Sequence, residues 1–133
     1  MSKNISILES LIDLIPTSPF SISLDNRKEE KNTLVLTESI GFKESEELVK
    51  SEQKTLFTTD IKVYIEVTED KADFNNILSL LKTFYENVRS YESMELKDYY
   101  IFQVNQTGLF GYLGREKNGN FCFTLNFRVK YYI

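Results

Sequence analysis

The stretch IKVYIEVTEDKADFNNILSLLKTFYENV, residues Ile61–Val88, decides the fold class. Its first part alternates apolar and polar residues, which predicts a strand over Asp60–Thr68 with one face packed on a core. Its second part carries apolar residues at helical spacing, which predicts a long helix that runs to about Tyr91. Asp70 or Asp73 is expected to cap the start of this helix. The apolar positions of the helix are Ile77, Leu78, Leu81, Phe84, Tyr85 and Val88.

The stretch YYIFQVNQTGLFGYLGREKNGNFCFTLNFRVKYY, residues Tyr99–Tyr132, predicts a closing hairpin. A short strand is expected over Tyr99–Val104, followed by a connection that contains three glycines. The pair Asn118-Gly119 favours a two-residue hairpin turn, because both of its central residues need positive φ. The glycines match neither a phosphate loop nor a dinucleotide fingerprint, and they are expected to allow a bulge or a sharply bent strand. They are Gly108, Gly111 and Gly114.

The N-terminal part of the chain predicts smaller elements. Apolar residues three and four apart indicate a short amphipathic helix over Ile5–Ile15, which Pro16 ends because proline lacks an amide hydrogen. Strands are expected over Phe20–Leu24 and Leu34–Ile40. The polar run Asp25–Asn32 between them is expected to be a loop.

The segment Lys43–Lys54 is the least regular part of the sequence. It is rich in helix-forming residues but has only Leu48 and Val49 as apolar anchors, so a long surface loop or a frayed helix is expected. The whole pattern predicts an α+β fold with a mostly antiparallel twisted sheet and two helices packed on one face. With 133 residues the chain is expected to form a single domain over 1–133.

The composition narrows the possible functions. The chain has no His, so it lacks the side chain that most often transfers protons near neutral pH and binds transition metals. A formal net charge of −4 argues against non-specific binding to nucleic acid, which depends on Lys and Arg. The one cysteine excludes an intrachain disulfide, as expected for a reducing compartment. No stretch approaches the apolar length that spans a bilayer and the N-terminus does not resemble a signal peptide, so a soluble protein is expected.

No group of residues points to catalysis. Cys122 is expected to be a small strand residue on the side opposite the large apolar ones, and the sequence has no His that could activate it. The acidic runs Glu44-Glu46-Glu47 and Glu69-Asp70-Asp73 lack the ligand spacing of a calcium loop. We therefore expect no catalytic, cofactor-binding or metal-binding residue and no enzyme activity. A hydrolase that uses a pair of carboxylates is a minor alternative, because with 20 acidic residues such pairs arise without any function.

Charge and aromatic residues leave two interpretations open. From residue 115 onward, four basic residues face one acid, whereas Glu38–Asp73 holds ten acids and five lysines. This pattern is typical of an ordinary mixed surface, or of a bipolar molecule whose ends meet opposite charges on its neighbours. The Phe residues are expected in the core. The Tyr residues are candidates for an interface, since Tyr offers a large contact area with few rotatable bonds.

The layout resembles the minor-capsid and tail-terminator (tail-completion) proteins of long-tailed bacteriophages from Gram-positive hosts. The matching features are the opening helix Ile5–Ile15, the strand that passes into the long helix over Ile61–Val88, and the closing hairpin Tyr99–Tyr132. Gly114-Arg115-Glu116-Lys117-Asn118-Gly119 stands where the family has a glycine-flanked segment, a charged residue and Asn-Gly. The chain departs from the family in its extended acidic segment Lys43–Lys54 and in having Glu66 where an Arg is found.

The resemblance implies a structural role in the virion. Members form a ring, typically a hexamer, that caps the tail tube, stops its polymerisation and joins the tail to the head-tail connector protein. The expected partners are therefore further copies of the chain, the tail tube protein and the connector, with no membrane and no specific nucleic-acid binding. The expected location is the head-proximal end of the virion tail, after assembly in the host cytoplasm.

The expected contacts of such a ring are drawn from charged residues. The candidates are Lys43, Glu44, Glu46, Glu47 and Lys50 in the polar segment, and Arg128 and Lys130 on the last strand, which would face an acidic neighbour. The alternative function is an acidic binding module that inhibits or masks a host protein, as the pI of about 5.0 suggests. A hexamer in solution favours the first function, and capture of a single cellular enzyme favours the second.

Overall fold

A computed structural model describes residues 7–24, 32–38, 42–49 and 52–132 of the chain, and within 42–54 it describes only the backbone. In these described residues two helices and seven strands form an α+β fold, the class that the sequence predicts. In chain order they are α1 (Leu8–Leu11), β1 (Ser21–Leu24), β2 (Thr33–Glu38), β3 (Phe42–Val49), β4 (Glu52–Val67), α2 (Phe74–Arg89), β5 (Met94–Leu96), β6 (Tyr99–Arg115) and β7 (Phe121–Tyr132).

The seven strands form one mixed sheet. Its strand order is β1-β2-β4-β7-β6-β5, and β3 pairs with the first part of β4. The pair β1–β2 is parallel and the other pairs are antiparallel, so the sheet is not purely antiparallel. The sequence could not reveal this, because alternating burial is the same for both strand directions.

The segment Ile61–Val88 folds as its periodicity predicts. Ile61, Val63, Ile65 and Val67 of β4 are fully or almost fully buried, and they join one core with the apolar stripe of α2 and the alternating residues of β7. The Asp73 carboxylate caps α2 by accepting the backbone N–H of Asn76 at 3.2 Å. Asp70, the other candidate cap, instead accepts the Thr68 hydroxyl at 2.6 Å, and this hydrogen bond lowers the pKa of Asp70.

The opening helix is shorter than predicted. Only Leu8–Leu11 is α-helical, and a 3₁₀ turn continues it over Ile12–Leu14. Ile15 already takes extended backbone, with φ −72° and ψ 128°, because the proline that follows disfavours the helical conformation. Ile5 lies outside the described residues. Ile7, Leu8 and Leu11 belong to the core, and Ile12 and Leu14 of the 3₁₀ turn pack against it.

The predicted strands Phe20–Leu24 and Leu34–Ile40 are confirmed as β1 and β2. The predicted loop Asp25–Asn32 falls outside the described residues except for Asn32, and so do the last two residues of the second strand prediction.

The prediction of a loop or a frayed helix over Lys43–Lys54 is wrong. Phe42–Val49 forms β3, which pairs antiparallel with β4 from Val49↔Glu52 to Phe42↔Thr58. Lys50 and Ser51 lie outside the described residues. The physical reason is that pairing with a neighbouring strand outweighs intrinsic helix propensity, which is a weak preference of a fraction of a kcal/mol per residue.

Strand β6 is much longer than the predicted Tyr99–Val104. It runs to Arg115 and includes the glycine-containing connection. Its register against β7 shifts three times, and Gly111 and Gly114 have φ near +130°, which glycine adopts without strain. The predicted bulged or bent strand is therefore confirmed.

The hairpin between β6 and β7 is also confirmed, but its turn is not the predicted two-residue type. Five residues separate Arg115 from Phe121, and only Gly119 among them has positive φ. The Asn118 side chain accepts the backbone N–H of Asn120 at 3.0 Å. This hydrogen bond favours a local asparagine turn in place of the tighter one, which would need positive φ at Asn118 as well.

Candidate functional site

The predicted interface residues of the polar segment lie on a β-hairpin. Lys43, Glu44, Glu46 and Glu47 belong to β3, opposite residues 54–57 of β4. Within the described residues, β7 pairs with β4 only as far as Leu56, and residues 52–55 of β4 pair with β3 alone. The hairpin thus extends past the last described residue of β7 as two strands. The remaining candidate, Lys50, lies outside the described residues.

Arg128 and Lys130 lie side by side on the face of β7 that points away from the core. Arg128 forms a two-pronged contact with Asp60 on β4, with Nε 2.7 Å from Oδ1 and Nη2 3.3 Å from Oδ2. Its guanidinium charge is therefore already matched within the subunit. Lys130 lies between Thr58 and Gln103 in the strand register.

The two oppositely charged parts of the sequence contact each other in the fold. Besides the pair of Arg128 and Asp60, Arg115 lies 3.2 Å from Glu69, which belongs to the acidic region. Both pairs are partly exposed to solvent, so each adds little to stability. They show that some of the charge segregation seen along the sequence is used inside one subunit.

The exposed large hydrophobic side chains have a different distribution. Among the described side chains, they all lie on strands at the two ends of the sheet. Ile22 is on β1 at one end, while the others are on β5 and β6 at the opposite end: Met94, Tyr100, Phe102, Leu109, Tyr112 and Leu113. Clustered apolar surface of this kind marks a contact site more reliably than single exposed residues do.

The bulges of β6 account for three of these exposed side chains. Each register shift between β6 and β7 contains one of them, namely Phe102, Leu109 and Leu113. Their exposed fractions are 46%, 69% and 44%. A β-bulge gives a side chain a different direction from the one it would have in a regularly paired strand. We call these three residues the bulge row.

The second edge of β6 is open over most of its length. Strand β5 pairs only with Tyr99, Tyr100 and Ile101, and no other strand in the described part of the chain lies along this edge. Just beyond β5, the Glu92 carboxylate accepts the backbone N–H of Val104 at 2.8 Å. The open edge therefore begins after Val104. Such an edge offers unpaired backbone groups to another chain.

The bulge in the middle of β6 is held in place from β7. The Asn126 side-chain amide donates to the Leu109 carbonyl oxygen at 2.9 Å. Gly108 lies so close to Asn126 that an added Cβ would be 3.2 Å from the Asn126 Cβ. The protrusion of Leu109 is therefore fixed by specific contacts of the fold.

Cys122 lies on the face opposite the large apolar residues, as predicted, and belongs to a polar cluster. The Tyr64 hydroxyl donates to its Sγ at 3.0 Å, and the thiol approaches the Glu116 carboxylate at 3.5 Å. Next to it, the Asn120 amide donates to the buried Glu66 carboxylate at 2.7 Å. Burial is the main cause that raises the pKa of both Cys122 and Tyr64. The thiol is therefore protonated at neutral pH.

The described residues hold neither a metal-ligand cluster nor a membrane-spanning helix. No three or more Cys, Asp or Glu side chains there converge in a geometry that could hold a metal ion. Neither helix there has the length and apolarity needed to cross a membrane.

The chain matches no family model and no curated protein.

Sequence reasoning missed the bulge row. The sequence places Leu109 and Leu113 in a predicted connection, although each stands next to a glycine that allows the strand to bulge. A usable signal was the proximity of large apolar residues to Gly108 and Gly114 in a strand-forming context. The prediction that Tyr residues serve an interface agrees with the exposure of Tyr100 and Tyr112, whereas Tyr99 and Tyr131 are buried.

Proposed function

We propose that the chain is a non-enzymatic structural subunit of a bacteriophage tail or a related particle. Copies form a ring, most simply a hexamer, that caps the tail tube, stops its polymerisation and joins the tail to the head-tail connector. The ring is located at the head-proximal end of the tail and is assembled in the host cytoplasm. The resemblance of the strand–helix–hairpin layout to tail-terminator proteins supports this role.

One structural observation carries the proposal. The exposed large hydrophobic side chains of the described residues are confined to the two ends of the sheet. A closed ring needs two different surfaces on each subunit, so that one copy contacts the next in head-to-tail fashion. The apolar cluster on β5 and β6 at one end and Ile22 on β1 at the other are two different surfaces of this kind.

The β3–β4 hairpin supplies a further contact in this proposal. A two-stranded hairpin without a third strand is only marginally stable in water, so its outer part gains stability when it lies against another protein. Its charged residues, including Lys43, Glu44, Glu46 and Glu47, then contact the tube or a neighbouring subunit. Both helices cover one face of a mostly antiparallel, twisted sheet, which leaves the hairpin and the sheet ends available.

The proposed role is tested by measuring the mass of the purified chain and its effect on tube growth. Native mass spectrometry is expected to show one closed oligomer, and addition of that oligomer to growing tail tubes from the same genome is expected to halt their elongation. The observation of a tail-tube gene directly next to this one would support the role independently. A strict monomer that binds no tube and is recovered with one cellular enzyme would contradict it and favour an inhibitory binding module.

A further inference from the structure

We infer that neighbouring subunits contact each other end to end, with the bulge row of β6 in one copy lying against β1 of the next copy. This inference rests on the proposed ring and names the surfaces that close it. The contact between subunits is then made by the apolar strands β6 and β1, whereas the sequence predicts contacts through charged residues.

The β6 surface is suited to receive another strand. Its open edge runs from Asn105 to the end of the strand, since β5 and the Glu92 carboxylate occupy the earlier part. The bulge row projects from this strand, and Leu109 is its most exposed member. Charged residues on such an edge commonly prevent it from pairing with another chain, but none occurs between Tyr99 and Gly114.

The β1 surface has the same character at the opposite end of the sheet. Strand β1 pairs only with β2, so its other edge is open as far as the described residues show. Ile22 is 44% exposed there, between the small side chains of Ser21 and Ser23. Small neighbours allow another backbone to approach closely.

The β6 and β1 surfaces both lie in parts of the sequence that lack charged residues. The two longest stretches without a charged residue are Tyr99–Gly114, which contains nearly all of β6, and Leu14–Leu24, which contains β1. The chain as a whole has 27% charged residues. Depletion of charge is the compositional mark of the core of a protein interface. A second copy of this chain supplies an uncharged strand end that matches each of these surfaces.

The contact joins unlike surfaces. If β6 paired with β6 of a second copy, the same patch would be used on both sides and assembly would stop at a dimer with two-fold symmetry. Pairing of β6 with β1 leaves one free end of each kind, so copies add until rotation closes the ring.

Cross-linking through introduced cysteines tests this contact directly. Ile22→Cys and Leu109→Cys are both exposed positions, while the native Cys122 is only 2% exposed, so wild-type protein serves as the matched control. An equimolar mixture of the two variants is treated with a short bismaleimide, and linked peptides are identified by mass spectrometry. We expect links between positions 22 and 109 of different copies. We expect none in wild-type protein and few in either variant alone.

Native mass spectrometry of the same samples distinguishes failure of the assigned β6–β1 contact from failure of the proposed ring. A closed ring that gives no link from position 22 to Phe102→Cys, Leu109→Cys or Leu113→Cys overturns the assigned contact but leaves the ring. Dominant links between two copies of position 109 indicate a two-fold pair and also overturn it. Absence of any oligomer overturns both the contact and the proposed function.

A charge variant gives an independent readout. Leu109→Lys places a charge in the bulge row, and Thr83→Lys places one on an exposed position of α2 as a control. We expect Leu109→Lys to weaken assembly by roughly tenfold or more, with an unchanged far-ultraviolet circular dichroism spectrum, and Thr83→Lys to assemble normally. Equal assembly of both variants would contradict the inferred contact.

Discussion

At the scale of single residues, the face opposite the core holds a closely connected polar cluster. Cys122 receives a hydrogen bond from Tyr64, while Glu66 is held by Asn120. These contacts satisfy polar groups that are partly or wholly removed from water, as buried polar groups require. The cluster lies near the β6–β7 turn, where Glu116 approaches the thiol.

The burial of Cys122 predicts that its thiol reacts slowly in the folded protein. Because burial both shields the sulfur and raises its pKa, we expect native protein at pH 8 to react with a thiol-specific chromogenic reagent far more slowly than protein unfolded in guanidinium chloride. Absorbance of the released chromophore measures both rates. Immediate stoichiometric reaction of the native protein would contradict the described environment.

The raised pKa values of Cys122 and Tyr64 predict a loss of stability at alkaline pH. The folded state keeps these protons to higher pH than the unfolded state, so the free energy of unfolding is fully retained below the ordinary thiol value of 9.0 and falls as pH rises above it. Thermal melts between pH 7 and 10.5 measure this fall. Tyr64→Phe removes one of the titrating groups, so its stability is expected to fall less steeply. A fall as steep as in wild-type protein would argue against a contribution from Tyr64.

At the scale of elements, the start of α2 depends on one cap. Asp73→Ala removes the carboxylate that accepts the Asn76 N–H, so we expect the free energy of unfolding to drop by about 1 kcal/mol. Asp73→Asn keeps a side-chain oxygen and serves as the matched control, with a smaller loss. Urea denaturation measures both. Equal losses for the two variants would show that the negative charge, and not the hydrogen bond, stabilises the helix start.

The shape of β6 depends on its glycines. Gly111 has φ +130°, a conformation that side-chain-bearing residues rarely adopt, although its added Cβ would meet only Leu78 at 3.9 Å. We therefore expect Gly111→Ala to destabilise the fold by about 1–3 kcal/mol through backbone strain alone. Thr107→Ala, at an exposed position of the same strand, is the control and should be close to neutral. If Gly111→Ala were equally neutral in urea denaturation, the described backbone of β6 would be wrong.

Elements whose periodicity is contained in one segment could be predicted from the sequence. Over Ile61–Val88 both the alternation of β4 and the stripe of α2 are visible, and each buries its apolar side on the same core. Strand β3 could not be predicted, because its pairing with β4 outweighs the helix propensity of its own residues. The parallel direction of β1 against β2 is equally invisible in an alternation pattern.

The candidate site was predictable only in part. The Tyr residues were expected at an interface, and Tyr100 and Tyr112 are exposed. The charge of Arg128 alone makes it a candidate contact residue in the sequence. A sequence cannot show that its Nε lies 2.7 Å from Oδ1 of Asp60, which is distant along the chain. The exposure of Leu109 depends on a register shift against β7, which also joins distant residues.

At the scale of the whole molecule, two properties coincide. Strands β1 and β6 carry all but one of the exposed large hydrophobic side chains of the described part of the chain, and they lie almost entirely in its two longest uncharged stretches. The centre of the sheet, in contrast, carries the ion pair of Arg128 and Asp60. This division favours association of copies through the sheet ends, with charged surface left toward solvent or other partners.

The most direct test of this account is the solution mass of the wild-type chain at micromolar concentration, measured by native mass spectrometry and by analytical ultracentrifugation. The account predicts one dominant closed species with a mass six times the 15.6 kDa of the chain, or another small whole-number multiple that forms a ring in electron micrographs. A chain that remains at 15.6 kDa at every concentration, alone and in the presence of tail tube protein, would contradict it.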